Sequence, residues 1–400
     1  MKRVLEDIRV LDFGRFIAAP YCGMMLADMG AEVIRIDRPG GEEDRTIGLI
    51  GPNGQNMSYY SYARNKKGIT LNLMDKNDVK SRKVWADLVK TADVVLHNFS
   101  PYAAQMMGLS YEDLTAIKPD IILTAISCYG SDGPYANRTG FDFIAQAMSG
   151  QMAVGGFPGL PPQRAQPSYV DFSTGLCATI GTLLALRHRD NTGEGQMVDL
   201  ALLQTAVSFS APQIAEAEVL GRLRPRVGNR GAYLGPSDLY QCKDGYVFIA
   251  TIMDSLWRRL AKAIGHEELI DDPDLHNDLG RFEHREKIDP LVAGWMAERT
   301  VDEAINEMEA ARIPCGRYYE LNEVSKDPHI QARNMVEYIN LEEPGLGKVP
   351  ICGMPIKMSK TPGRVETRAP RVGEHNKEIY QNLLGYSDAQ MEDLKKSGVV

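Results

Sequence analysis

The residue best suited to carry chemistry in this chain is Asp171. It lies in the segment 166–176, just ahead of an apolar helical run, and the sequence holds no metal-ligand spacing, phosphate-binding loop or catalytic-triad signature. At the N-terminus of a helix, unpaired backbone N–H groups and the macrodipole favour the ionised form of a carboxylate. With the usual pKa of about 3.9, such a carboxylate needs no activating base. We therefore expect Asp171 to be able to attack an activated acyl group and form a covalent intermediate.

A purely structural role for Asp171 is the alternative. Aspartate is a common helix N-cap, and most aspartates at such positions do nothing else. Ser173 and Thr174 could cap the helix instead, which would leave Asp171 free to point elsewhere. The preceding loop, residues 154–162, is rich in glycine and proline and has the composition of a lid or pocket wall. These residues alone leave both roles open.

Composition predicts a cytoplasmic globular protein of two domains. The 400 residues are too many for one compact core, and the apolar and charged fractions, 44% and 24%, are those of an ordinary soluble protein. The net charge of −8 argues against a nucleic-acid or anionic membrane partner. The N-terminus has no apolar leader, and the longest nearly apolar run, residues 175–186, is short for a membrane span. Six scattered cysteines indicate reduced thiols, and we expect no bound metal.

The first 130 residues alternate between short apolar runs and helical patterns, which predicts an α/β fold with a mostly parallel sheet. The predicted strands are residues 8–13, 32–37, 69–73, 93–96 and 121–126. The predicted helices are residues 20–29, with Pro20 at the first position, residues 78–90, and a short helix capped by Ser110 and Asp113.

The later segments predict a second, smaller domain. Residues 142–209 read as mainly helical, and residues 221–235 read as a linker. Two strands joined by a turn and then several helices indicate a small α+β domain. We predict a large domain from 1–222, a small domain from 223–330, and a return to the large domain over 331–400. The predicted elements of the last two parts are strands 238–242, 246–251 and 335–341 and a helix at 376–384.

The opening strand–turn–helix invites a dinucleotide-binding interpretation, but the turn has only Gly14 where three glycines are required. A nicotinamide oxidoreductase is therefore not expected. A group of basic residues is predicted to lie in loops around the strands, where it could grip a nucleotide phosphate or form solvated surface. These residues are Arg38, Arg45, Arg64, Lys66 and Lys67.

Several segments together resemble the class III CoA-transferases, a family that includes formyl-CoA transferase, the carnitine and bile-acid CoA-transferases and 2-methylacyl-CoA racemase. The resemblance extends from Leu5 to the final helix. The matching segments are 10–13, Pro20, 26–37, 65–69, 92–99, Tyr169-x-Asp171, 192–196 and 313–315.

The resemblance implies a large Rossmann-like domain built from both chain ends, a small domain near residues 225–325, and an obligate homodimer of interlocked rings. It implies that Asp171 is the nucleophile in CoA transfer between an acyl-CoA and a carboxylic acid, with CoA as substrate and no permanent cofactor. By position, the residues that match CoA contacts in formyl-CoA transferase are Phe16, Ile17, Ala18, Arg38, Leu71, Asn98, Phe99 and Met107.

Departures from the family pattern bear on the reaction. Phe141 stands where the racemase branch has a proton-transferring histidine, so racemisation by the usual pair is not expected. Ile17 replaces a glutamine and a tetraglycine loop is missing, which disfavours oxalate and formate. An arginine often found near Gln105 is also absent, so we expect another residue to supply one phosphate contact. Ile17, Phe141 and residues 157–160 suggest an apolar pocket for a branched, hydroxylated or bulky acid. A racemase-type isomerase and a non-catalytic CoA-binding subunit remain the alternatives.

Overall fold

A computed structural model describes residues 3–343 and 345–400. The chain forms two compact units. The first runs to Ser149 and resumes over Gln166–Phe209 and Asp327–Val400, and the second comprises Gly150–Ala165 and Ser210–Lys326. The domain boundaries drawn from the sequence stay a prediction, since compactness alone does not test independent folding.

The structure has eleven strands within the described residues. They are β1 Arg9–Asp12, β2 Glu32–Asp37, β3 Lys66–Thr70, β4 Val94–His97, β5 Ile122–Ser127, β6 Met197–Ala201, β7 Ser237–Cys242, β8 Gly245–Ala250, β9 Cys315–Arg317, β10 Val336–Glu343 and β11 Leu346–Cys352.

The α-helices flank these strands. They are α1 Ala18–Asp28, α2 Met57–Tyr62, α3 Val79–Thr91, α4 Pro101–Met106, α5 Tyr111–Thr115, α6 Asp142–Met148, α7 Gln151–Val154, α8 Tyr169–Thr192, α9 Leu202–Leu220, α10 Asp254–Ala263, α11 Asp278–Glu283, α12 Asp289–Ala297, α13 Val301–Ala310, α14 Pro328–Ala332 and α15 Asp388–Lys396. A π-helical segment spans Lys377–Leu383, and 3-10 turns lie at Glu43–Arg45, Glu267–Asp271, Pro273–Leu275, Arg285–Lys287 and Val324–Lys326.

A six-stranded parallel sheet organises the first unit, in the order β3-β2-β1-β4-β5-β6. This confirms the predicted α/β class with a parallel sheet. The order reverses between β1 and β4, and in open α/β sheets ligands bind in the crevice at such a switch point, outside the carboxyl ends of the strands. The connections that follow β1 to β5 therefore all reach one edge of the sheet.

The strands alternate their side chains between two apolar layers, as the two-residue period of a strand requires. In β1, Val10 packs with α1 and α8 on one face, whereas Leu11 packs with α3 on the other. The second layer includes Trp85, whose ring meets Phe13 edge-on with centroids 5.3 Å apart. Because both faces are covered, the sheet is a rigid support for the loops at its edge.

The second unit has its own core. Its antiparallel sheet, in the order β7-β8-β9, packs against α10, α12 and α13 through buried residues that include Trp257, Val292 and Met308. Thr300 and Glu303 form a reciprocal capping box that begins α13.

Three sequence-based expectations were wrong in detail. α1 begins at Ala18, so Pro20 is its third residue, a position where the missing N–H costs nothing because first-turn donors are unpaired. β3 begins at Lys66 rather than residue 69, because ion pairs allow the two lysines to lie in the strand. The region 142–209 is mainly helical, as expected, but the expectation omitted β6, a short strand at the sheet edge.

Helix α8 also differs from the expectation drawn from residues 175–186. Its 24 residues are long and apolar enough to cross a membrane by length and composition, and 44% of its most apolar window is buried within the chain. Core helices pass the same test, and α8 packs against α1 and β5, so this feature is weak evidence for a membrane span.

Candidate active site

Asp171 lies in the first turn of α8, two residues after the helix begins at Tyr169. The expectation that Ser173 or Thr174 would cap this helix was wrong. The side chain that accepts from its first turn is Asp142, whose Oδ2 receives the N–H groups of Val170 at 2.9 Å and of Asp171 at 3.1 Å. The carboxylate of Asp171 is therefore not needed as a cap.

The charge state of Asp171 also differs from the expectation. Burial, and then the charge of Asp142, raise the pKa of Asp171 to about 7. Asp142 is itself buried, and the Nε2 of Gln146 donates to its Oδ1 at 2.5 Å. The helix N-terminus does not keep Asp171 at an ordinary pKa, because its nearest N–H groups are already bonded to another carboxylate.

Aromatic rings surround the turn that carries Asp171. Phe172 meets the ring of Tyr21 edge-on at 5.1 Å and that of Tyr62 at 5.6 Å. No residue in the described part of the chain donates a hydrogen bond to the carboxylate of Asp171. A half-buried carboxylate in such surroundings is poorly solvated, which suits a nucleophile more than a structural ion.

The connection between β1 and α1 carries three of the predicted CoA contacts and reaches the Asp171 helix. Phe16 is exposed and has a left-handed backbone (φ 60°), and Ile17 precedes the helix that starts at Ala18. A Cβ at Gly175 of α8 would lie 2.7 Å from the carbonyl oxygen of Ala18. Glycine at this position thus lets α8 approach the connection closely.

A second link joins this connection to Asp171. The rings of Phe16 and Phe141 meet edge-on with centroids 6.1 Å apart. Phe141 precedes Asp142, which holds the backbone of Asp171. The structure therefore brings Phe16 and Asp171 into one neighbourhood.

Asn98, another predicted CoA contact, holds this connection in place. Its Oδ1 accepts the N–H of Arg15 and its Nδ2 donates to the carbonyl of Arg15, both at 2.8 Å. Phe99 stacks on His97 at 5.8 Å and lies under the guanidinium of Arg15 at 5.7 Å. The amide of Asn98 is thus engaged with the protein backbone.

The remaining predicted CoA contacts lie at the same edge of the sheet but differ in exposure. Arg38 follows β2, its side chain is 49% exposed, and it lies 3.8 Å from Glu42 and 3.6 Å from Glu43. Leu71 follows β3 and is buried in the core, and Met107 ends α4 and packs against the same core. Only backbone atoms of Leu71 can face a ligand.

The predicted phosphate-binding cluster is not assembled. Arg45 pairs with Asp37 at 2.5 Å, Arg64 with Asp28 at 2.7 Å and Lys66 with Asp12 at 2.7 Å, and all six side chains are buried. These three cations were expected in loops but complete internal ion pairs. Lys67 lies in β3 and pairs with Glu32 and Glu378.

Two cations that the sequence reasoning missed line a cavity of about 890 Å³ beside α4. They are Lys76 and Arg82, and the cavity also contacts Gln105, the region where a family arginine is absent. Arg82 donates to the carbonyl of Met107 at 2.5 Å. The absent arginine was the available signal, because the family resemblance implies a phosphate contact that another residue would then supply.

Comparisons with known proteins point to one family. The chain matches the family described as CoA-transferase family III over residues 5–376. Succinyl-CoA–D-citramalate CoA-transferase of Chloroflexus aurantiacus is 36% identical over 400 residues, covering 100% of this chain and 98% of the relative. The beta subunit of succinyl-CoA–L-malate CoA-transferase of the same organism is 32% identical, covering 99% and 98%.

A solved structure has the same fold. The crystal structure of a CAIB/BAIF family protein from Brucella suis superposes with a TM-score of 0.83 at 30% identity, covering 96% of this chain and 100% of that one. The chain belongs to CoA-transferase family III and is an enzyme of that family.

Proposed function

We propose that this enzyme moves CoA from an acyl-CoA donor to a carboxylic acid acceptor with Asp171 as the nucleophile. The observation that carries the proposal is the position of Asp171: in the first turn of α8, released from capping by Asp142, and next to the Phe16 connection. An unpaired carboxylate at the switch-point edge of a parallel sheet has the location that ligand chemistry requires.

The first half of the reaction loads CoA onto the enzyme. A carboxylate oxygen of Asp171 attacks the thioester carbon of the donor, the C–S bond breaks, and CoA leaves as a thiolate with an aspartyl–acyl anhydride in place. The thiolate then attacks the Asp171 carbonyl carbon. The donor acid leaves as its carboxylate, and Asp171 becomes a CoA thioester.

The second half passes CoA to the acceptor. The acceptor carboxylate attacks the Asp171 thioester carbon, forming a second anhydride and releasing the thiolate. The thiolate attacks the acceptor's acyl carbon, which forms the product thioester and restores the carboxylate of Asp171. One thioester replaces another, so the protein has mainly to orient the reactants and exclude water from the anhydrides.

The raised pKa of Asp171 has a role in this scheme. The same weak solvation that raises the pKa to about 7 leaves the ionised form less stabilised and more nucleophilic. Near neutral pH a large fraction of the enzyme is ionised, and the charge disappears once the anhydride forms. The site therefore relieves its like-charge contact with Asp142 in the first chemical step.

For the donor we propose succinyl-CoA, and for the acceptor a short organic acid. The support is the pair of relatives described above, which use succinyl-CoA with D-citramalate or L-malate and align over almost the full chain. The replacement of a glutamine by Ile17 agrees with a substrate other than oxalate.

We also propose that the active form is a homodimer. One side of α8 exposes Leu176, Ile180, Leu183 and Leu184 to solvent, although the other side is packed in the core. An apolar helix face of this size is favoured by a covering partner. If the purified chain is active by itself, a second copy of the same chain is sufficient to cover this face. The malate-transferase relative, in contrast, has two kinds of subunit.

Replacement of Asp171 tests the proposed function. Asp171→Ala should abolish CoA transfer from succinyl-CoA while CoA binding, measured by calorimetry, changes little. Asp190→Ala, an exposed aspartate near the end of the same helix, is the matched control and should keep full activity. Near-normal turnover by Asp171→Ala would refute the assignment.

Isotope exchange separates transfer from the racemase-type alternative. Transfer forms no bond at the α-carbon, so a 2-methylacyl-CoA incubated in heavy water should gain no α-deuterium. Phe141 supports this expectation because it cannot move a proton. Enzyme-dependent α-deuteration would favour the isomerase.

A further inference from the structure

A small cavity of about 150 Å³ lies beside the connection between β1 and α1. Its apolar walls include Phe16, Ile17 and Ile47, and α2 contributes Tyr59 and Tyr62. Two of these residues, Phe16 and Ile17, are predicted CoA contacts. The cavity is therefore lined in part by the predicted CoA site.

Two residues of the cavity wall contact residues next to Asp171 or next to its partner Asp142. Phe16 contacts Phe141, next to the aspartate that holds the Asp171 backbone. Tyr62 contacts Phe172, the residue that follows Asp171. The carboxylate itself is near this wall, because burial and then the charges of Cys352 and Asp171 raise the pKa of Tyr62.

Most polar groups in the cavity wall already have partners. Arg35 pairs with Asp37 at 2.8 Å and with Asp44 at 2.7 Å, and all three are buried. The amide of Asn56 accepts from the N–H of Ser58 and donates to the carbonyl of Asp44. The wall therefore offers no free cation from among the described lining residues.

The Tyr62 hydroxyl is different. It makes no hydrogen bond to a residue in the described ranges 3–343 and 345–400, although the ring is fixed by its edge contact with Phe172. Ser58, also in the wall, carries a second hydroxyl. A phenol that is held in place and left without an acceptor beside a reactive carboxylate is a hydrogen-bond donor available to substrate.

The size of the cavity limits what it can hold. One water molecule needs about 10–15 Å³ of such a cavity, so 150 Å³ admits a group of several non-hydrogen atoms but not a long chain. This matches the part of a four- or five-carbon acyl group that lies beyond its carbonyl carbon.

We propose that this cavity receives the acyl chain, and that the Tyr62 hydroxyl selects short acyl groups that carry an oxygen at the far end, as a carboxylate or a hydroxyl. The inference rests on the proposed function, because the acyl group enters the cavity only while it is attached to CoA or to Asp171. Tyr62 is a specificity-determining residue that contacts substrate away from the reacting bond.

The test compares acyl-CoA donors of one chain length, with and without a distal oxygen. For the wild-type enzyme, kcat/KM for succinyl-CoA or 4-hydroxybutyryl-CoA should exceed that for butyryl-CoA at least tenfold. Tyr62→Phe removes only the hydroxyl and should reduce this ratio about 10- to 100-fold, the range for a hydrogen bond to a charged acceptor. The butyryl-CoA rate should stay unchanged, which also reports that the variant is folded.

Tyr60→Phe is the matched control, since Tyr60 lies in the same helix and its hydroxyl meets Asn53 outside this cavity. It should keep the wild-type ratio. An unchanged ratio in Tyr62→Phe, or a wild-type preference for butyryl-CoA, would overturn the inference. Asp171→Ala assayed in parallel keeps the two claims apart, because its loss of transfer supports the proposed function whatever the ratio in Tyr62→Phe.

Discussion

Asp142 binds the backbone of the helical turn that carries Asp171. The same contact fixes the position of the proposed nucleophile and affects its pKa. Asp142 accepts the N–H of Asp171 at 3.1 Å and places a second negative charge beside it. The sequence identifies Asp171 as the candidate from its place ahead of an apolar helix. Its pKa could not be predicted, because the group that perturbs it lies 29 residues earlier in the chain.

The pH dependence of the reaction should report this contact. The carboxylate of Asp171 is protonated below its raised pKa, so kcat/KM for the donor should fall as the pH drops through about 7. Asp142→Asn keeps an oxygen that accepts the two N–H groups but removes the like charge. The acid limb of its pH profile should move down by about one pH unit, since burial, the larger cause, remains.

Asp190→Asn, on the exposed end of the same helix, should leave the acid limb in place. If Asp142→Asn also left it in place, the like charge would have no part in setting the pKa. Profiles measured between pH 5 and pH 9 decide between these results.

The raised pKa of Asp171 should also make the stability of the protein depend on pH. The pKa of Asp171 is higher in the folded chain than the ordinary 3.8, so ionising this residue costs folding free energy that grows as the pH rises from about 4 to 7. Asp171→Asn should therefore stabilise the protein, by about 2 kcal/mol more at pH 8 than at pH 5. Urea unfolding at fixed protein concentration measures this difference, and an equal effect at both pH values would contradict it.

At the scale of elements, apolar runs between helical patterns were enough to predict β1 to β5 and their parallel arrangement. β6 was not predicted because it is short, half-exposed and directly follows the Gly193 turn, so its residues read as part of a turn and helix. The start of α8 was misplaced for a different reason. Its cap is Asp142, a side chain from another helix, and local sequence does not reveal a tertiary cap.

The role of the basic residues also could not be predicted from local sequence. Arg45, Arg64 and Lys66 were candidates for a phosphate site because local sequence does not reveal their ion pairs. Asp28 and Asp12 lie 36 and 54 residues before their partners Arg64 and Lys66, and a predicted loop separates Asp37 from Arg45. Charge counts alone do not distinguish a buried ion pair from a ligand site.

The side-chain amide of Asn98 holds the connection between β1 and α1, so a single substitution can test the role of this connection. Asn98→Ala removes both hydrogen bonds to Arg15 and frees the strained Phe16 backbone. We expect CoA binding to weaken about tenfold and stability to fall by about 1–3 kcal/mol, as for two lost hydrogen bonds. Calorimetry with CoA measures the first effect, and unchanged affinity would show that the connection does not hold the ligand. Asn77→Ala, an exposed asparagine, is the control.

At the scale of the whole molecule, the exposed side of α8 predicts how copies of the chain associate. Ile180 and Leu184 are 58% and 65% exposed in a helix whose opposite side is core. If a second copy covers them, the double change Ile180→Glu and Leu184→Glu should convert the dimer to monomer. Light scattering should then give half the wild-type mass, with loss of activity. Asn191→Glu, an exposed polar position in the same helix, should remain dimeric.

A wild-type protein that is monomeric and fully active would contradict the homodimer. Activity that appears only after a second, different chain is added would favour the two-subunit arrangement seen in the malate-transferase relative.

The central claim is that Asp171 becomes covalently modified in each cycle, and direct trapping tests it most simply. The enzyme is incubated with succinyl-CoA and hydroxylamine, without acceptor, and the peptide that carries Asp171 is examined by mass spectrometry. The account predicts the aspartyl hydroxamate at Asp171 and at no other carboxylate, Asp142 included. An unmodified Asp171 in an enzyme preparation that is active when an acceptor is supplied, or the label on a different residue, would contradict it.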